Sequence, residues 1–218
     1  MKGYIKILII IIFVSVIYQS VIKYKNEYFD DKKNIKYALC LKDMKTILNK
    51  LNIPFFLTFG TSLGYHREKK ILEHDYDIDI GIFYNDCKKN ISDKILSSAL
   101  FRKHGEWGEL DDGKEYSFIH KKTNVRIDLY IFYEEDDYLW TATYAHPLCS
   151  KMKYNKCRWK YSKFKPTEIK FLDDNYYIVP IKFLEEQYGD WKIPKKVGYS
   201  KSVNNWKEYR PNLIYEPK

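Results

Sequence analysis

The feature that most constrains this chain is a pair of carboxylates, Asp77 and Asp79, at the start of an apolar run. In a β-strand, residues i and i+2 point to the same face, so these two side chains would stand next to each other. Neighbouring carboxylates repel unless a cation neutralises them. A hard divalent cation with oxygen ligands, Mg²⁺ or Mn²⁺, is the natural partner. The sequence therefore predicts a strand over Asp77–Phe83 that begins at a metal site.

A turn of small residues, Gly60-Thr61-Ser62, ends the preceding apolar run. Glycine lets the chain bend sharply, and the following amides with the two hydroxyls can cradle a phosphate at a helix start. Asp128 lies on the polar face of a later predicted strand and can supply a third carboxylate. Two metal ions on these three carboxylates would bind the phosphate of a nucleotide donor and lower the pKa of an attacking hydroxyl.

The rest of the chain mixes helical and strand periodicities. The pattern predicts helices over 30–51, 85–100 and 179–188, a helical turn over 61–68, strands over 55–59, 77–83, 115–120, 125–133 and 139–143, and loops over 108–113 and 145–166. From residue 193 the tail is predicted to be irregular. This order of elements indicates an α+β fold, and 218 residues suffice for one core.

The N-terminus carries a nearly unbroken apolar segment, Ile7–Ile22, with lysines on both sides. A spanning helix needs about 20 apolar residues, and a signal peptide needs fewer. Both interpretations are open, and the lack of an Ala-x-Ala pattern at its end favours an uncleaved signal-anchor. We therefore expect residues 1–25 to form a membrane segment of a single-pass protein, with the following domain in the Golgi or ER lumen or outside the cell.

The four cysteines include no Cys-x-x-Cys pair, which argues against a zinc site. Cys149 and Cys157 are close enough in sequence to close a small disulfide loop in an oxidising compartment. Buried free thiols are the alternative.

Most of the formal net charge of +9 falls in residues 151–218. Lys151–Lys170 is rich in lysine, contains a single acid, Glu168, and has aromatic residues between the lysines. This segment is either a solvated basic loop or a surface for a phosphate-rich ligand. Nucleic acid fits the charge, but the chain has no nucleic-acid-binding motif, so no nucleic-acid partner is predicted.

The stretch Phe59–Phe83 resembles the LicD/fukutin/fukutin-related protein family, a branch of the nucleotidyltransferase-like superfamily. That family carries a Gly-Thr-x-Leu-Gly-x-x-Arg block and then an Asp-x-Asp-hydrophobic-Asp-hydrophobic-Gly block, which correspond here to Gly60–Arg67 and Asp75–Gly81. Residues 178–194 resemble the family's ending of a proline, a helix, Tyr-Gly-Asp-aromatic and a proline. Bacterial-type members usually have Trp-Asp-Asp-Asp where this chain has His74–Asp77, and the zinc-binding cysteine pairs of some relatives are absent.

The resemblance implies a nucleotidyltransferase-like mixed sheet with flanking helices over residues 26–197, followed by a tail over 198–218. It implies metal-dependent transfer of a phosphorylated alcohol, of the ribitol phosphate or phosphocholine class, from a CDP-activated donor to a glycan or glycoprotein hydroxyl. The roles it implies are metal ligands at Asp77 and Asp79, a third ligand or base at Asp128, donor-phosphate contacts at Gly60, Thr61, Ser62 and Arg67, and possible substrate contacts at Asp75, Tyr188 and Asp190.

Several alternatives stay open at this point. His66 and His74 are near the motif but are more typical of structural or solvent-facing residues, since two-metal chemistry needs no histidine. Tyr188-Gly189-Asp190-Trp191 is either a glycine helix cap with aromatic packing or a substrate contact. Two other functions compete: an Asp-x-Asp glycosyltransferase that uses a nucleotide-sugar, and a non-catalytic, membrane-anchored glycan-binding relative. A glycosyltransferase usually needs a larger domain before its Asp-x-Asp motif.

Overall fold

The computed structural model describes residues 2–144, 156–194 and 213–215. The helices are α1 (Lys2–Lys50), α2 (Phe59–Glu68), α3 (Ile91–Ser97) and α4 (Ile181–Tyr188), with a short 3-10 turn at Tyr84–Asp86. The strands are β1 (Phe56–Leu57), β2 (Asp77–Phe83), β3 (Phe101–Glu109), β4 (Asp112–His120), β5 (Arg126–Glu134), β6 (Tyr138–Thr143), β7 (Cys157–Ser162), β8 (Thr167–Phe171), β9 (Asp174–Ile178) and β10 (Leu213–Tyr215).

One mixed sheet joins all of these strands, in the order β10-β7-β6-β5-β2-β1-β9-β8. The pairs β2–β5 and β1–β9 are parallel, and the other pairs are antiparallel. Strand β5 is a fork. One edge pairs with β2, while the other edge pairs first with β4 and then with β6. The hairpin β3–β4 therefore branches from the sheet through β5.

The two faces of β2 and β5 carry different residues, as period-two alternation requires. Ile78, Ile80 and Ile82 are fully buried in the larger core, under helices α1 and α3. The opposite face carries Asp77 and Asp79 near the start of the strand. Further along, that face packs aromatic rings against α2 and α4. The predicted α+β architecture with flanking helices is confirmed, and the carboxylates lie on the α2–α4 face.

The sequence prediction missed five of the described strands, β3, β7, β8, β9 and β10. Strand β3 covers residues 101–107, for which no element was predicted, and then extends into the predicted loop over 108–113; no elements were predicted for β8 and β9. The two-residue turn between β8 and β9 has positive φ at both Leu172 (48°) and Asp173 (65°). Such turns favour Asn-Gly or Asp-Gly, so Leu-Asp gave no hairpin signal. Residues 213–215 form a strand in the tail that was predicted to be irregular.

The basic segment Lys151–Lys170 is not a loop where the structure describes it. Residues 157–162 form β7, and the rings of Trp159 and Tyr161 are buried in the core beneath α4. The aromatic residues between the lysines are thus core residues at strand spacing, which corrects the loop interpretation for this part. Residues 151–155 lie outside the described residues.

Residues 2–25, for which a membrane segment is expected, lie in the uninterrupted helix α1. Within the described part of the chain, no helix has both the length and the apolar content that are needed to cross a bilayer. The division into residues 1–25, 26–197 and 198–218 stays a prediction.

The cysteines differ in their bonding. Cys157 is disulfide-bonded, whereas Cys40 and Cys87 are free thiols. Cys149, the predicted partner of Cys157, lies outside the described residues.

Candidate active site

Three aspartates form a cluster where β2 begins. The carboxylate oxygens of Asp75, Asp77 and Asp79 lie within 4.8 Å of one another. Asp77 and Asp79 share a face of β2 because they are two residues apart. Asp75 comes from the preceding loop, and its Oδ2 is buried without a hydrogen-bond partner. The expected side-by-side pair is therefore present, and Asp75 extends it to three carboxylates.

The start of α2 packs directly against this cluster. The amide of Gly60 donates a hydrogen bond of 2.8 Å to Asp79 Oδ2. A Cβ on Gly60 would lie 2.6 Å from Asp75 Oδ2 and 3.0 Å from Asp79 Oδ2. The close approach of helix and carboxylates thus requires glycine at this position. The hydroxyl of Thr61 accepts a 2.9 Å hydrogen bond from the Asp79 amide, which fixes β2 against the helix.

A fourth carboxylate, Asp128, faces the cluster from β5. Its backbone is the register partner of Asp79 on the neighbouring parallel strand. Ser117 on β4 donates a hydrogen bond to Asp128 Oδ1. Arg126 approaches Asp128 Oδ2 at 3.2 Å and also contacts Asp77. One guanidinium therefore joins the carboxylates of two strands.

The pKa values of three carboxyl groups at the site, those of Asp75, Asp79 and Asp128, are raised. Burial raises the pKa of Asp75 to about 6, against the opposing effect of Lys33. Burial, with added repulsion from Asp75 and Asp128, raises the pKa of Asp79 well above its usual value. Burial also raises the pKa of Asp128. Such shifts cluster at functional sites.

These residues fit a divalent cation. Mg²⁺ and Mn²⁺ prefer carboxylate oxygens, and Asp75, Asp77 and Asp79 offer three such ligands close together. The unpartnered Oδ2 of Asp75 is available as a ligand atom. Burial, with repulsion between the carboxylates, raises the pKa values of Asp75 and Asp79, and a bound cation would lower them again.

A cavity of about 580 Å³ opens over the carboxylates. Residues from α2, from β2 to β7 and from α4 line it: Phe59, Gly60, Asp75, Tyr76, Asp77, Asp79, His104, Trp107, Glu115, Ser117, Arg126, Asp128, Tyr130, Thr143, Trp159, Gln187 and Tyr188. The cavity is large enough for a nucleotide-sized ligand, because ligand pockets typically measure about 300–1,000 Å³.

The predicted site residues divide into two groups by position. The cavity contains all four aspartates named above, with Gly60 and Tyr188. The remaining four predicted residues, Thr61, Ser62, Arg67 and Asp190, are not among the described residues that line it. Their substrate-binding roles stay predictions.

The contacts of these four residues differ. Thr61 and Ser62 are fully buried. Arg67 pairs with the neighbouring Glu68 at 3.3 Å, and Asp190 is exposed just after the helix-ending Gly189.

His66 and His74 have the surroundings that were expected for structural or solvent-facing residues. Burial lowers the pKa of His66, whose ring contacts the carbonyl of Val179, and His74 is exposed.

Sequence reasoning missed several residues of the cavity. Arg126 was assigned to a polar strand face, although its position two residues before Asp128 was a usable signal. Glu115, Trp107 and His104 lie on β4 and β3, and they reach the cavity only because the hairpin branches from β5. The pairing of β4 with β5 joins separate segments of the chain, so no local sequence pattern indicates that these residues reach the cavity.

Helix α1 supports the loop that carries Asp75. The ammonium of Lys33 donates to the carbonyls of Leu72 (2.6 Å), Glu73 (2.9 Å) and Asp75 (2.7 Å). The hydroxyl of Tyr37, one turn along α1, donates to the same Asp75 carbonyl at 3.2 Å. The backbone before the cluster is therefore fixed from the other side of the sheet.

Lys33→Met should weaken both the fold and the cation site. The substitution keeps an unbranched side chain but leaves three carbonyls without their charged donor. Hydrogen bonds to charged groups each contribute about 1.5–3 kcal/mol, so we expect the free energy of unfolding to fall by at least the contribution of one such bond. Thermal melting should fall by several degrees, and calorimetry should show a several-fold weaker affinity for Mn²⁺. Lys36→Met, at an exposed position of the same helix, is the control. Equal behaviour of the two variants would contradict a role for Lys33.

Taken together, a mixed sheet, a glycine-initiated helix and carboxylates on adjacent parallel strands define a nucleotidyltransferase-type site. The family profile described as "LicD/FKTN/FKRP, nucleotidyltransferase domain" matches residues 52–180. The chain belongs to this family, which confirms the resemblance seen in the sequence.

Among curated proteins, the chain is similar to the ribitol-5-phosphate transferase FKTN of Homo sapiens and to that of Macaca fascicularis. Each is 32% identical over 212 residues, which cover 92% of this chain and 43% of the relative. The chain thus spans less than half the length of these relatives. An uncharacterized protein of Rickettsia typhi, RT0683, is 26% identical over 204 residues, which cover 84% of this chain and 60% of that protein.

Among solved structures, the lincomycin-bound lincosamide antibiotic adenylyltransferase LnuA matches with a TM-score of 0.44 and 15% identity. The match covers 72% of this chain and 85% of that one.

Proposed function

We propose that the chain transfers a phosphorylated alcohol from a CDP-activated donor to a glycan hydroxyl, with Mg²⁺ or Mn²⁺ as cofactor. The observation that carries the proposal is the cluster of Asp75, Asp77 and Asp79 beside the N-terminus of α2, within one cavity. Carboxylates alone would repel a diphosphate. With a cation between them, the same residues recognise it.

The donor phosphates would bind on the side of the cavity where α2 begins. A helix N-terminus favours anions, because its first amides lack intrahelical partners and the helix dipole points its positive end there. Gly60 lets this helix end approach the carboxylates that would hold the cation, since a Cβ there would lie 2.6 Å from Asp75 Oδ2. Arg126 adds a planar cation that can bind phosphate oxygens bidentately.

The reaction forms one phosphorus–oxygen bond and breaks another. The glycan hydroxyl oxygen attacks the phosphorus that carries the alcohol, the bond to the bridging oxygen breaks, and CMP leaves. A bound divalent cation would neutralise phosphate charge and lower the pKa of the attacking hydroxyl. Asp128 is placed to accept the hydroxyl proton, because Ser117 and Arg126 hold its carboxylate on the strand next to Asp79.

The relatives favour one donor class. The curated FKTN proteins are named ribitol-5-phosphate transferases. We therefore propose ribitol phosphate as the first group to test and phosphocholine as the second. A glycan or glycoprotein is the proposed acceptor.

A donor panel tests the proposal. The full chain is incubated with Mg²⁺ or Mn²⁺, an acceptor glycan mixture and one of CDP-ribitol, CDP-choline, CDP-glycerol or a UDP-sugar, and the products are read by mass spectrometry. We expect CMP and a phosphodiester-linked glycan, and no product when the cation is chelated. Release of UDP from a UDP-sugar would identify a glycosyltransferase instead. Absence of turnover with every donor would favour a binding protein.

A further inference from the structure

A second part of the cavity lies across the carboxylates from α2. In the sheet, Asp79 on β2 is followed by Asp128 on β5, Ser117 on β4 and Gly105 on β3, each paired with the previous residue. Neighbouring strands are about 4.8 Å apart, so β3 lies some 14 Å from β2. The α2 N-terminus and the β3–β4 hairpin therefore form opposite walls, with the acidic residues between them.

Trp107 provides a flat apolar surface on the hairpin wall. Its ring lies across Gly105, where a Cβ would be only 2.0 Å from the nearest ring atom. The indole can approach the backbone of residue 105 this closely only because that residue has no side chain. Trp107 is half-buried and lines the cavity. One side of the ring is thus supported by backbone, and the residue remains accessible from the cavity.

Glu115 supplies the polar part of the same wall. It is the cross-strand partner of Trp107, so its side chain stands next to the indole on the same sheet face. Glu115 is 3% exposed, and its Oε2 accepts a 3.0 Å hydrogen bond from the Tyr144 amide. In the part of the chain that the structure describes, no Lys, Arg or His forms an ion pair with it. Burial raises the pKa of Glu115 to about 8, so at pH 7 the group is mostly a carboxylic acid that can both donate and accept a hydrogen bond at the cavity wall.

Two further residues complete this part of the cavity. The hydroxyl of Thr143 accepts a 3.0 Å hydrogen bond from Trp159 Nε1, and both residues line the cavity. The register of β3 shifts between Lys103 and Gly105, which leaves His104 as an extra residue at the rim. Bulges of this kind often redirect a side chain next to an active site.

We propose that Trp107, supported by Gly105 and flanked by Glu115 and Thr143, binds a sugar ring of the acceptor glycan. A pyranose has an apolar face of C–H groups and a rim of hydroxyls, so it needs a flat aromatic surface beside hydrogen-bonding groups. This wall offers both. The proposal rests on the proposed function only for the direction of transfer. In an in-line displacement the attacking and leaving oxygens are on opposite sides of phosphorus. A donor held at α2 therefore leaves the hairpin wall to the acceptor.

The test measures the two walls separately on the full chain. Sugar binding is followed by saturation-transfer NMR with methyl glycosides of galactose, mannose, N-acetylglucosamine and N-acetylgalactosamine. Donor-side binding is followed by calorimetry with CDP and Mg²⁺. We expect Trp107→Ala to weaken sugar binding by about tenfold, as expected for loss of an aromatic anchor, and to change CDP affinity by less than about twofold. Gly105→Val, which keeps the tryptophan but displaces its ring, should have the same effect.

Matched variants keep the result interpretable. Trp107→Phe keeps a flat ring and should retain most of the sugar binding, even if the alanine variant folds poorly. Glu115→Gln keeps the shape and should weaken sugar binding, whereas Glu109→Gln, exposed on β3, should not. Unchanged sugar binding in both Trp107→Ala and Gly105→Val overturns the proposal. So does a loss of CDP affinity in Trp107→Ala, which would place cytosine on the ring, and so does a wild type that binds none of the sugars. Sugar binding through Trp107 in a protein that turns over no CDP donor would refute the proposed function and leave this site standing.

Discussion

Asp79→Asn should abolish transfer and, at the same time, make the cation-free protein more stable. The activity loss should be about 10³-fold or more, as for other groups that act on charge in the transition state. The stability gain follows from burial. Because the pKa of Asp79 is higher in the folded than in the unfolded state, its ionisation opposes folding as pH rises above its unfolded value of about 4. Asparagine removes that charge and can still accept the hydrogen bond from Gly60.

Release of CMP measures the activity loss, and thermal melting at pH 7 measures the stability gain. Without metal, the Asp79→Asn variant should melt a few degrees above the wild type, since about 1 kcal/mol corresponds to 2–4 °C in a protein of this size. Millimolar Mg²⁺ should raise the melting temperature of the wild type by ligand linkage and leave that of the variant unchanged. Glu73→Gln, which changes an exposed carboxylate in the loop before β2, should behave as the wild type. A variant that melts lower and still responds to Mg²⁺ would place the cation elsewhere.

Gly60→Ala should reduce activity by about 10²-fold, because an ångström-scale displacement of a reacting group costs that much. The new Cβ would lie 2.6 Å from Asp75 Oδ2, so α2 and the carboxylates must move apart. Alanine favours helix by about 1 kcal/mol over glycine. Overpacking of this kind costs about 1–3 kcal/mol, so the net effect should be destabilising.

Calorimetry with Mn²⁺ distinguishes a displacement of the carboxylates from a general loss of protein stability. Gly64→Ala is the matched variant, one turn along α2. Its Cβ would lie 2.5 Å from the carbonyl oxygen of Lys70, away from the acidic cluster. Both variants should melt lower than the wild type, but only Gly60→Ala should lose Mn²⁺ affinity. If Gly60→Ala bound Mn²⁺ normally, the fit between helix and carboxylates would not matter for the site.

The pairing of Asp77 with Asp79 was predictable because its evidence is local, whereas Asp75 was predicted only as a possible substrate contact. Strand period places Asp77 beside Asp79, and the turn at Gly60 precedes a helix, so spacing alone gave most of the α2–β2 geometry. Asp128 was also predictable, since residues 125–131 alternate between an apolar face and a face that carries Arg126, Asp128 and Tyr130.

The far wall of the cavity was not predictable for the opposite reason. Trp107 and Glu115 reach the site only through the pairing of β4 with β5, which is a contact between distant segments. The role of Lys33 likewise depends on how α1 crosses the sheet. Lys33 and Asp75 are 42 residues apart in the chain, so no local sequence pattern predicts their contact. The localisation of the protein stays a prediction.

Because β2 and the β3–β4 hairpin pair with opposite edges of β5, the two walls of the cavity can change in sequence independently of each other. Strand β2 contacts β5 along one edge over its whole length, whereas the β3–β4 hairpin joins the other edge through five paired positions, Glu115 to Ile119. Substitutions or length changes at the tip of the hairpin therefore alter which molecules fit opposite the carboxylates, while α2, β2 and their aspartates stay in place. Ser117 is the exception, because its hydroxyl holds Asp128. Chimeras that exchange residues 101–116 are therefore the direct way to change what fits opposite the carboxylates without moving α2 and β2.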